Sequence, residues 1–386
     1  MSVLAAPWLR APTVQRVCSV LEADGYRALF VGGCVRNTLL GAPVADLDLS
    51  TDAPPETVSA LMRKAGIKVV PTGIDHGTVT AVIDGKPFEI TTFRRDIETD
   101  GRRAVVRFST DVADDARRRD FTMNALYCDR HGGIIDPLGA LPDLRARRLR
   151  FVGDAGARVR EDYLRILRFF RFFAWYADPD QGMDEDALDA CARHSGGLAQ
   201  ISAERIGAEM RKLLAAPDPG RAALVMQASG VLQAILPGAA ATALPLLVDL
   251  EQAEGLAADP LLRLAALGGE DVAARLRLPR KEARRLAALS EAARDGMGAG
   301  EAGYRLGATD GAGAIVLRAA LIGAPLPPDT AAQVTRGAQA LFPVKARDVM
   351  ETRSGPEIGA ALEAMEARWV ASGFRLTRED LLGGLR

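Results

Sequence analysis

At roughly 150 residues per domain, a chain of 386 residues has room for two or three separate cores. Charged residues make up 26% of it and apolar and aromatic residues 48%, which excludes a disordered or low-complexity chain. The formal charge of −1 excludes an overall basic field, so any nucleic-acid partner must be met by local charge.

Residues 1–10 lack a basic segment followed by an apolar one, so no export signal is expected. Residues 28–31 read as a strand, Gly32-Gly33 as a turn, 34–40 as a helix closed by Gly41, and 44–49 as a second strand. Asp52 is expected to cap a helix opened by Pro54-Pro55 and closed by Gly66. Strands follow at 68–70, 78–83 and 88–93, the last two joined by an Asp84-Gly85 turn. The arginine-rich stretch 94–107, with Arg102 and Arg103, has no clear period and reads as a mobile loop. From 158 onward the strands vanish, and Ala, Leu and Arg recur at helical spacing between scattered prolines, a helical array in two parts. The longest near-apolar run, 234–248, is shorter than the ~18 residues of a membrane-spanning helix, so no membrane contact is expected.

Four scattered cysteines are too few for a disulfide framework and fit a reducing compartment; with no export signal or membrane span expected, the cytoplasm is the default location. Cys128/His131 and Cys191/His194 hold the ligand types of a zinc site, but His131 falls in a turn and His194 near a helix end. They read as coincidence, and no zinc is expected.

In the strand 44–49, Asp46 and Asp48 stand two apart and so share a face. A divalent cation relieves their repulsion, and Mg2+ takes such hard oxygens; two solvated acids on an exposed edge explain the pair equally well. Upstream, Gly32-Gly33 opens a helix with Arg36 nearby, an anion site suited to a triphosphate. It is neither a dinucleotide fingerprint nor a P-loop. Phosphate-cradling glycines beside cation-holding carboxylates point to phosphoryl or nucleotidyl transfer. Local charge supports a nucleic-acid partner: nine arginines against three acids over 144–176, and six cations against Glu282 over 275–285.

Gly32-Gly33-Cys34-Val35-Arg36, Asp46-x-Asp48, Arg118-Arg119-Asp120-Phe121-Thr122-Met123-Asn124-Ala125, Asp136-Pro137 with Gly139 and Asp143-Leu144, and Glu161-Asp162-Tyr163-Leu164-Arg165-Ile166-Leu167-Arg168-Phe169 follow in a fixed order. In that order and spacing they resemble the motifs of the class II tRNA nucleotidyltransferase and bacterial poly(A) polymerase family. With Ser202-x-Glu204-Arg205-Ile206 the resemblance spans roughly 29–236.

It implies an α+β chain: a polymerase-β-like nucleotidyltransferase palm or head with a mixed sheet (1–150), then an all-α elongated neck with a base-recognition helix (151–215), a body (216–300) and a tail (301–386). It assigns Mg2+ to Asp46 and Asp48, the triphosphate to Gly32, Gly33 and Arg36, and the sugar and phosphates to Arg119 and Asp120, with Asn124 in the same nucleotide site. Glu89 is the candidate third carboxylate, since strand period points it away from Phe88 and Ile90; a plain exposed acid accounts for it equally. Asn37 departs from the family pattern, which carries Asp after the arginine.

On a helix beginning near Arg158, Asp162 and Arg165 stand three apart and share a face, with Leu164, Leu167, Phe169 and Phe170 left for the core. In the family these positions read the incoming base, and Arg168 and Arg171 also touch the nucleotide. One carboxylate and one guanidinium satisfy the edges of cytosine and adenine, whereas uracil and guanine reverse both contacts. Arg275, Arg277, Arg280, Lys281 and Arg284 are the candidate RNA contacts. The expected activity is addition of C, C and A to tRNA from CTP and ATP. Poly(A) or A-only addition on the same scaffold is the alternative, disfavoured by the absence of a long basic C-terminal extension. Arg102 and Arg103 speak against a CC-only enzyme, and the intact carboxylates and glycines against a dead RNA-binding module.

Overall fold

A computed structural model describes residues 3–74, 77–99, 104–350 and 352–383. The chain separates into two compact units, Met1–Ser202 with Ala228–Ala234, and Ala203–Gln227 with Ile235–Arg386.

The first unit runs α1 (Pro12–Glu22), β1 (Leu29–Val31), α2 (Gly33–Leu40), β2 (Asp48–Thr51), α3 (Pro55–Lys64), β3 (Lys68–Gly73), β4 (Thr78–Ile83), β5 (Lys86–Thr92), β6 (Arg94–Thr99) and β7 (Ala104–Phe108). It continues with α4 (Val112–Arg117), β8 (Tyr127–Cys128), β9 (Ile134–Ile135), α5 (Leu141–Arg145), α6 (Ala155–Glu161), α7 (Leu164–Tyr176) and α8 (Glu185–Arg193). Seven strands form one sheet in the order β3-β4-β5-β2-β1-β8-β9. β2 and β5 pair in parallel, Asp48 opposite Glu89 and Leu49 opposite Ile90, and the other pairs are antiparallel. This is the mixed sheet of an α+β head. Leu49, Phe88 and Ile90 are buried while Asp48 and Glu89 stay exposed, so burial of one face fixes the register of the other.

Three local expectations are corrected. The strand expected over 44–49 begins only at Asp48, where its ladder with β5 starts opposite Glu89, and β1 adds partners to Leu49 and Ser50; Asp46 precedes the ladder. Asp52 does not cap α3; the cap position is Pro54, and the Asp52 carboxylate accepts the Arg27 backbone N–H at 2.8 Å. The described residues of 94–107 are no loop: β6 and β7 pair as an antiparallel ribbon from Arg94 opposite Phe108 to Thr99 opposite Ala104. A ribbon held by backbone bonds needs no alternating apolar face, hence no period to read. Arg102 and Arg103 lie outside the described residues. The Asp84-Gly85 turn is as expected, with φ of 49° and 75°, the two positive angles of a type I′ hairpin.

From Ala203 on, the described residues form no strand. The helices are α9 (Ala203–Leu214), α10 (Gly220–Ala228), α11 (Val231–Ile235), α12 (Leu244–Ala253), α13 (Pro260–Leu267), α14 (Val272–Arg275), α15 (Arg280–Arg294), α16 (Ala299–Ile322), α17 (Thr330–Gln339), α18 (Pro356–Ala371) and α19 (Arg378–Gly383). The core of the second unit encloses Arg263, which donates to Glu251 and to the carbonyls of Leu214 and Ala216, pinning the end of α9. A Cβ on Gly303 would stand 2.0 Å from the Val334 carbonyl oxygen, so only glycine lets α16 and α17 meet backbone to backbone. No helix of the described residues is long and apolar enough to cross a membrane.

Candidate active site

Gly32 leaves β1 with φ 72° and ψ −123°, a conformation essentially closed to residues with a Cβ, and α2 starts at the next residue. By helix geometry the first N–H groups of α2 have no partner within the helix. Two guanidinium groups flank this turn. A Cβ on Gly32 would lie 3.7 Å from Arg119 Nη1, and one on Gly33 would lie 3.8 Å from Arg36 Nη2.

Arg119 is held rigidly. Its Nη2 donates to Asp115 at 2.9 Å and to the Ser50 hydroxyl at 3.3 Å, and its Nε donates to the Tyr127 hydroxyl, which in turn donates to Asp115 at 2.7 Å. Asp115 also accepts Arg118 Nε at 2.8 Å and is fully buried. Burial alone would raise its pKa, but Arg119, Arg118 and Tyr127 outweigh that and hold it at about 2. The sequence reading missed Asp115, although its spacing of three and four from Arg118 and Arg119 is the signal of helical ion pairs.

Arg36, Asn124, Asp120 and Arg168 form one continuous chain of bonds. Arg36 Nη1 donates to Asn124 Oδ1 at 2.5 Å, and Asn124 Nδ2 donates to Asp120 Oδ1 at 2.8 Å. The other Asp120 oxygen accepts Nε and Nη2 of Arg168. Burial works against the Asp120 carboxylate, yet Arg168 and the Asn124 amide hold its pKa below the ordinary value. Helix α7 thus reaches the strand-turn-helix through residues that the sequence reading placed in one nucleotide site.

Asp48 and Glu89 are register neighbours on the exposed side of the sheet, and Asp46, also exposed, stands two residues ahead. Loss of hydration, then the charges of Glu89 and Asp46, push the Asp48 carboxyl above its ordinary pKa against the pull of Arg119. Negative charge is therefore in excess here, and a cation fits. Among the described residues no three His, Cys, Asp or Glu side chains close into a ready-made cage. Mg2+ does not require one, since it keeps waters and substrate oxygens beside one or two carboxylates.

The base-reading stripe differs from its expectation. α6 ends at Glu161, Asp162 is extended at φ −153°, and α7 starts at Leu164, so Asp162 and Arg165 do not share a helical face. The Asp162 carboxylate accepts the Leu164 N–H at 3.1 Å, and its carbonyl accepts that of Arg165 at 2.9 Å, which breaks and restarts the helix. Arg165 Nη1 is taken by Glu161 and by the Arg158 carbonyl. Arg171 lies over the Phe172 ring at 4.5 Å. Leu164, Leu167, Phe169 and Phe170 are buried as expected.

In the second unit Arg275, Arg280, Lys281 and Arg284 are exposed, and their side chains make no hydrogen bond or ion pair among the described residues. Arg277 meets Glu204 at 3.3 Å in an exposed pair. Arg285 is withdrawn from the stretch by Asp259 and Asp310.

Residues 28–150 match the model of the Poly A polymerase head domain, and residues 182–242 that of the Probable RNA and SrmB-binding site of polymerase A. The chain is 32% identical to CCA tRNA nucleotidyltransferase 1, mitochondrial, of Mus musculus, over 97% of this chain and 89% of that one. It is 42% identical to the CCA-adding enzyme of Geobacillus stearothermophilus over 57% of this chain and 53% of that one. The crystal structure of the Bacillus stearothermophilus CCA-adding enzyme in complex with CTP aligns with a TM-score of 0.70 at 31% identity, covering 97% of both chains.

Proposed function

The chain belongs to the family of CCA-adding tRNA nucleotidyltransferases and poly(A) polymerases, and on that premise we propose that it builds the 3′ C-C-A end of tRNA from CTP and ATP without a nucleic-acid template. The observation that carries this is the pairing of Asp48 with Glu89 on the open side of the sheet, within the field of the same Arg119 that flanks the Gly32-Gly33 turn.

The RNA 3′-hydroxyl oxygen attacks the α-phosphorus. A P–O3′ bond forms, the bond from the α-phosphorus to the oxygen bridging the β-phosphate breaks, and diphosphate leaves with the electron pair. Members of this family use a divalent cation; Asp46 and Asp48 would hold Mg2+ here, and it would supply charge neutralisation at the α-phosphate and acidify the attacking hydroxyl. Glu89, in register beside Asp48, accepts the hydroxyl proton directly or through water. Arg119 Nη1, the nitrogen not engaged by Asp115 or Tyr127, faces the turn and takes the phosphates. Arg168, Asp120 and Asn124 fix the nucleotide against α7, with Arg171 beside them.

Supplying tRNA that lacks its CCA with CTP, ATP or both, and sequencing the products, tests the reading. Ordered C, C, A with termination supports it, and a ragged A tail assigns the chain to the poly(A) branch. The four-part division into head, neck, body and tail and a cytoplasmic location belong to the same proposal; the four free, buried thiols suit a reducing compartment.

Base choice rests on Asp162 and Arg165 at the joint between α6 and α7. Asp162→Ala and Arg165→Ala should each lose discrimination of CTP and ATP against UTP and GTP, on the order of 10²-fold. Competition among the four triphosphates measures this, and wild-type selectivity in both variants would make the joint structural only.

The exposed cations of α14 and α15 are the proposed tRNA contacts. Replacing Arg280, Lys281 and Arg284 with Ala should weaken tRNA binding and reduce the slope of log K against log salt by up to about three phosphate contacts. An unchanged slope would leave these side chains merely solvated.

A further inference from the structure

Asn37 makes two contacts that a carboxylate could not make together. Its Oδ1 accepts Nε and Nη2 of Arg36 at 3.0 and 2.8 Å, and its Nδ2 donates to the Pro43 carbonyl at 2.6 Å. A guanidinium only donates and a carbonyl only accepts, so the amide has one orientation. The other partners of Arg36 are equally neutral: Asn124 Oδ1 at 2.5 Å, the Tyr176 hydroxyl at 2.9 Å, and the face of the Tyr176 ring at 4.0 Å. Asp120, the carboxylate whose charge reaches it, is bonded to Arg168 and linked to Arg36 only through Asn124.

Arg36 is therefore a cation only 6% exposed with no carboxylate bonded to it among the described residues. An uncompensated buried charge is costly, and the cost falls when an opposite charge arrives. Its Nη2 lies 3.8 Å from the place of a Cβ on Gly33. Four of its five N–H groups are engaged, so it acts on that turn mainly through its field.

We propose that Asn37 is a positioning residue that determines nucleotide affinity: by holding Arg36 with a neutral group, it leaves a full positive charge beneath the Gly32-Gly33 turn for the triphosphate to neutralise. The proposal rests on the turn being the triphosphate site. It also makes the free protein less stable than it could be, in exchange for affinity.

The test is Asn37→Asp. The carboxylate keeps acceptors for Arg36 but cancels its charge, while the exposed Pro43 carbonyl takes water in place of the lost donor. CTP and inorganic diphosphate should bind about tenfold more weakly, cytidine should bind as before, and KM for CTP should rise more than kcat falls. The first thermal transition of the free protein should rise by about 2–4 °C. A structural defect lowers stability and affinity together, so the opposed signs mark the electrostatic role. Asn37→Leu, which removes the contacts but not the charge of Arg36, should weaken CTP less than Asn37→Asp does. Unchanged CTP affinity in Asn37→Asp, or equal loss of cytidine and CTP, overturns the proposal. Wild-type protein that binds cytidine and CTP equally overturns the triphosphate reading of the turn, and the proposal with it.

Discussion

Asp48→Asn is expected to lower turnover on the order of 10²-fold or more while weakening nucleotide binding much less. The substitution is nearly isosteric at the first residue of β2, so the ladder to Glu89 and the buried Leu49 next to it stay in place. What disappears is one negative charge from a cluster in which loss of hydration, then Glu89 and Asp46, already push the Asp48 carboxyl above its ordinary pKa. That crowding is tolerable when a cation shares it. Removing the charge should therefore relax the apo protein slightly while depriving the transition state of a ligand for the cation. Titrating Mg2+ in single-turnover assays separates the two effects: a ligand role requires a loss of rate that persists at saturating Mg2+. Equal turnover in Asp46→Asn, Asp48→Asn and wild type at saturation would remove the assignment. Glu89→Gln should fall between, with a loss that lessens as pH rises and the hydroxyl ionises unaided.

Asp115→Asn should cost about 3–5 kcal/mol of stability, the range for breaking a buried ion pair from one side. The carboxylate is fully buried and accepts Arg118, Arg119 and Tyr127, so an amide leaves two guanidinium groups without their counter-charge. The pH dependence has a definite sign. The folded pKa of about 2 lies below the unfolded value of about 3.9. The stabilisation is thus present above pH ~4 and is lost as pH falls toward 2 and below, amounting to a few kcal/mol when complete. Unfolding midpoints measured from pH 6 to 2 should show this acid limb in wild type and a flatter one in the variant. Because Arg119 is released as well, KM for CTP should rise at temperatures where the variant is still folded. A variant melting within about 1 °C of wild type, where roughly 6 °C or more is expected, would show that Asp115 is not the anchor.

Legibility followed sequence range. Asp46, Asp48, Gly32, Gly33, Arg36, Arg119 and Asp120 sit in short motifs whose chemistry is local, and Glu89 could be read from strand period alone because its neighbours Phe88 and Ile90 are apolar. Asp115 was not read, since whether a helical acid meets its arginines in water or in the core depends on what covers it, here Tyr127 and Ser50 from other strands. The break at Asp162 escaped notice because a spacing of three residues is the same in one helix and in two helices joined by an extended residue. The start of β2 depends on where its ladder with the distant β5 begins, and the neutral shell around Arg36 comes from Asn37, Asn124 and Tyr176, whose convergence no local pattern announces.

The parallel pairing of β2 with β5 also orders events in time. Asp48 and Glu89 become neighbours only after α3, β3 and β4 have been laid between them, and a slip of one residue would turn Glu89 inward and Phe88 outward. Such long-range pairing is slow compared with helix formation. On dilution from denaturant, ellipticity, which the many helices dominate, should recover ahead of nucleotide transfer. The lag between the two signals would be a clock for this one strand pair.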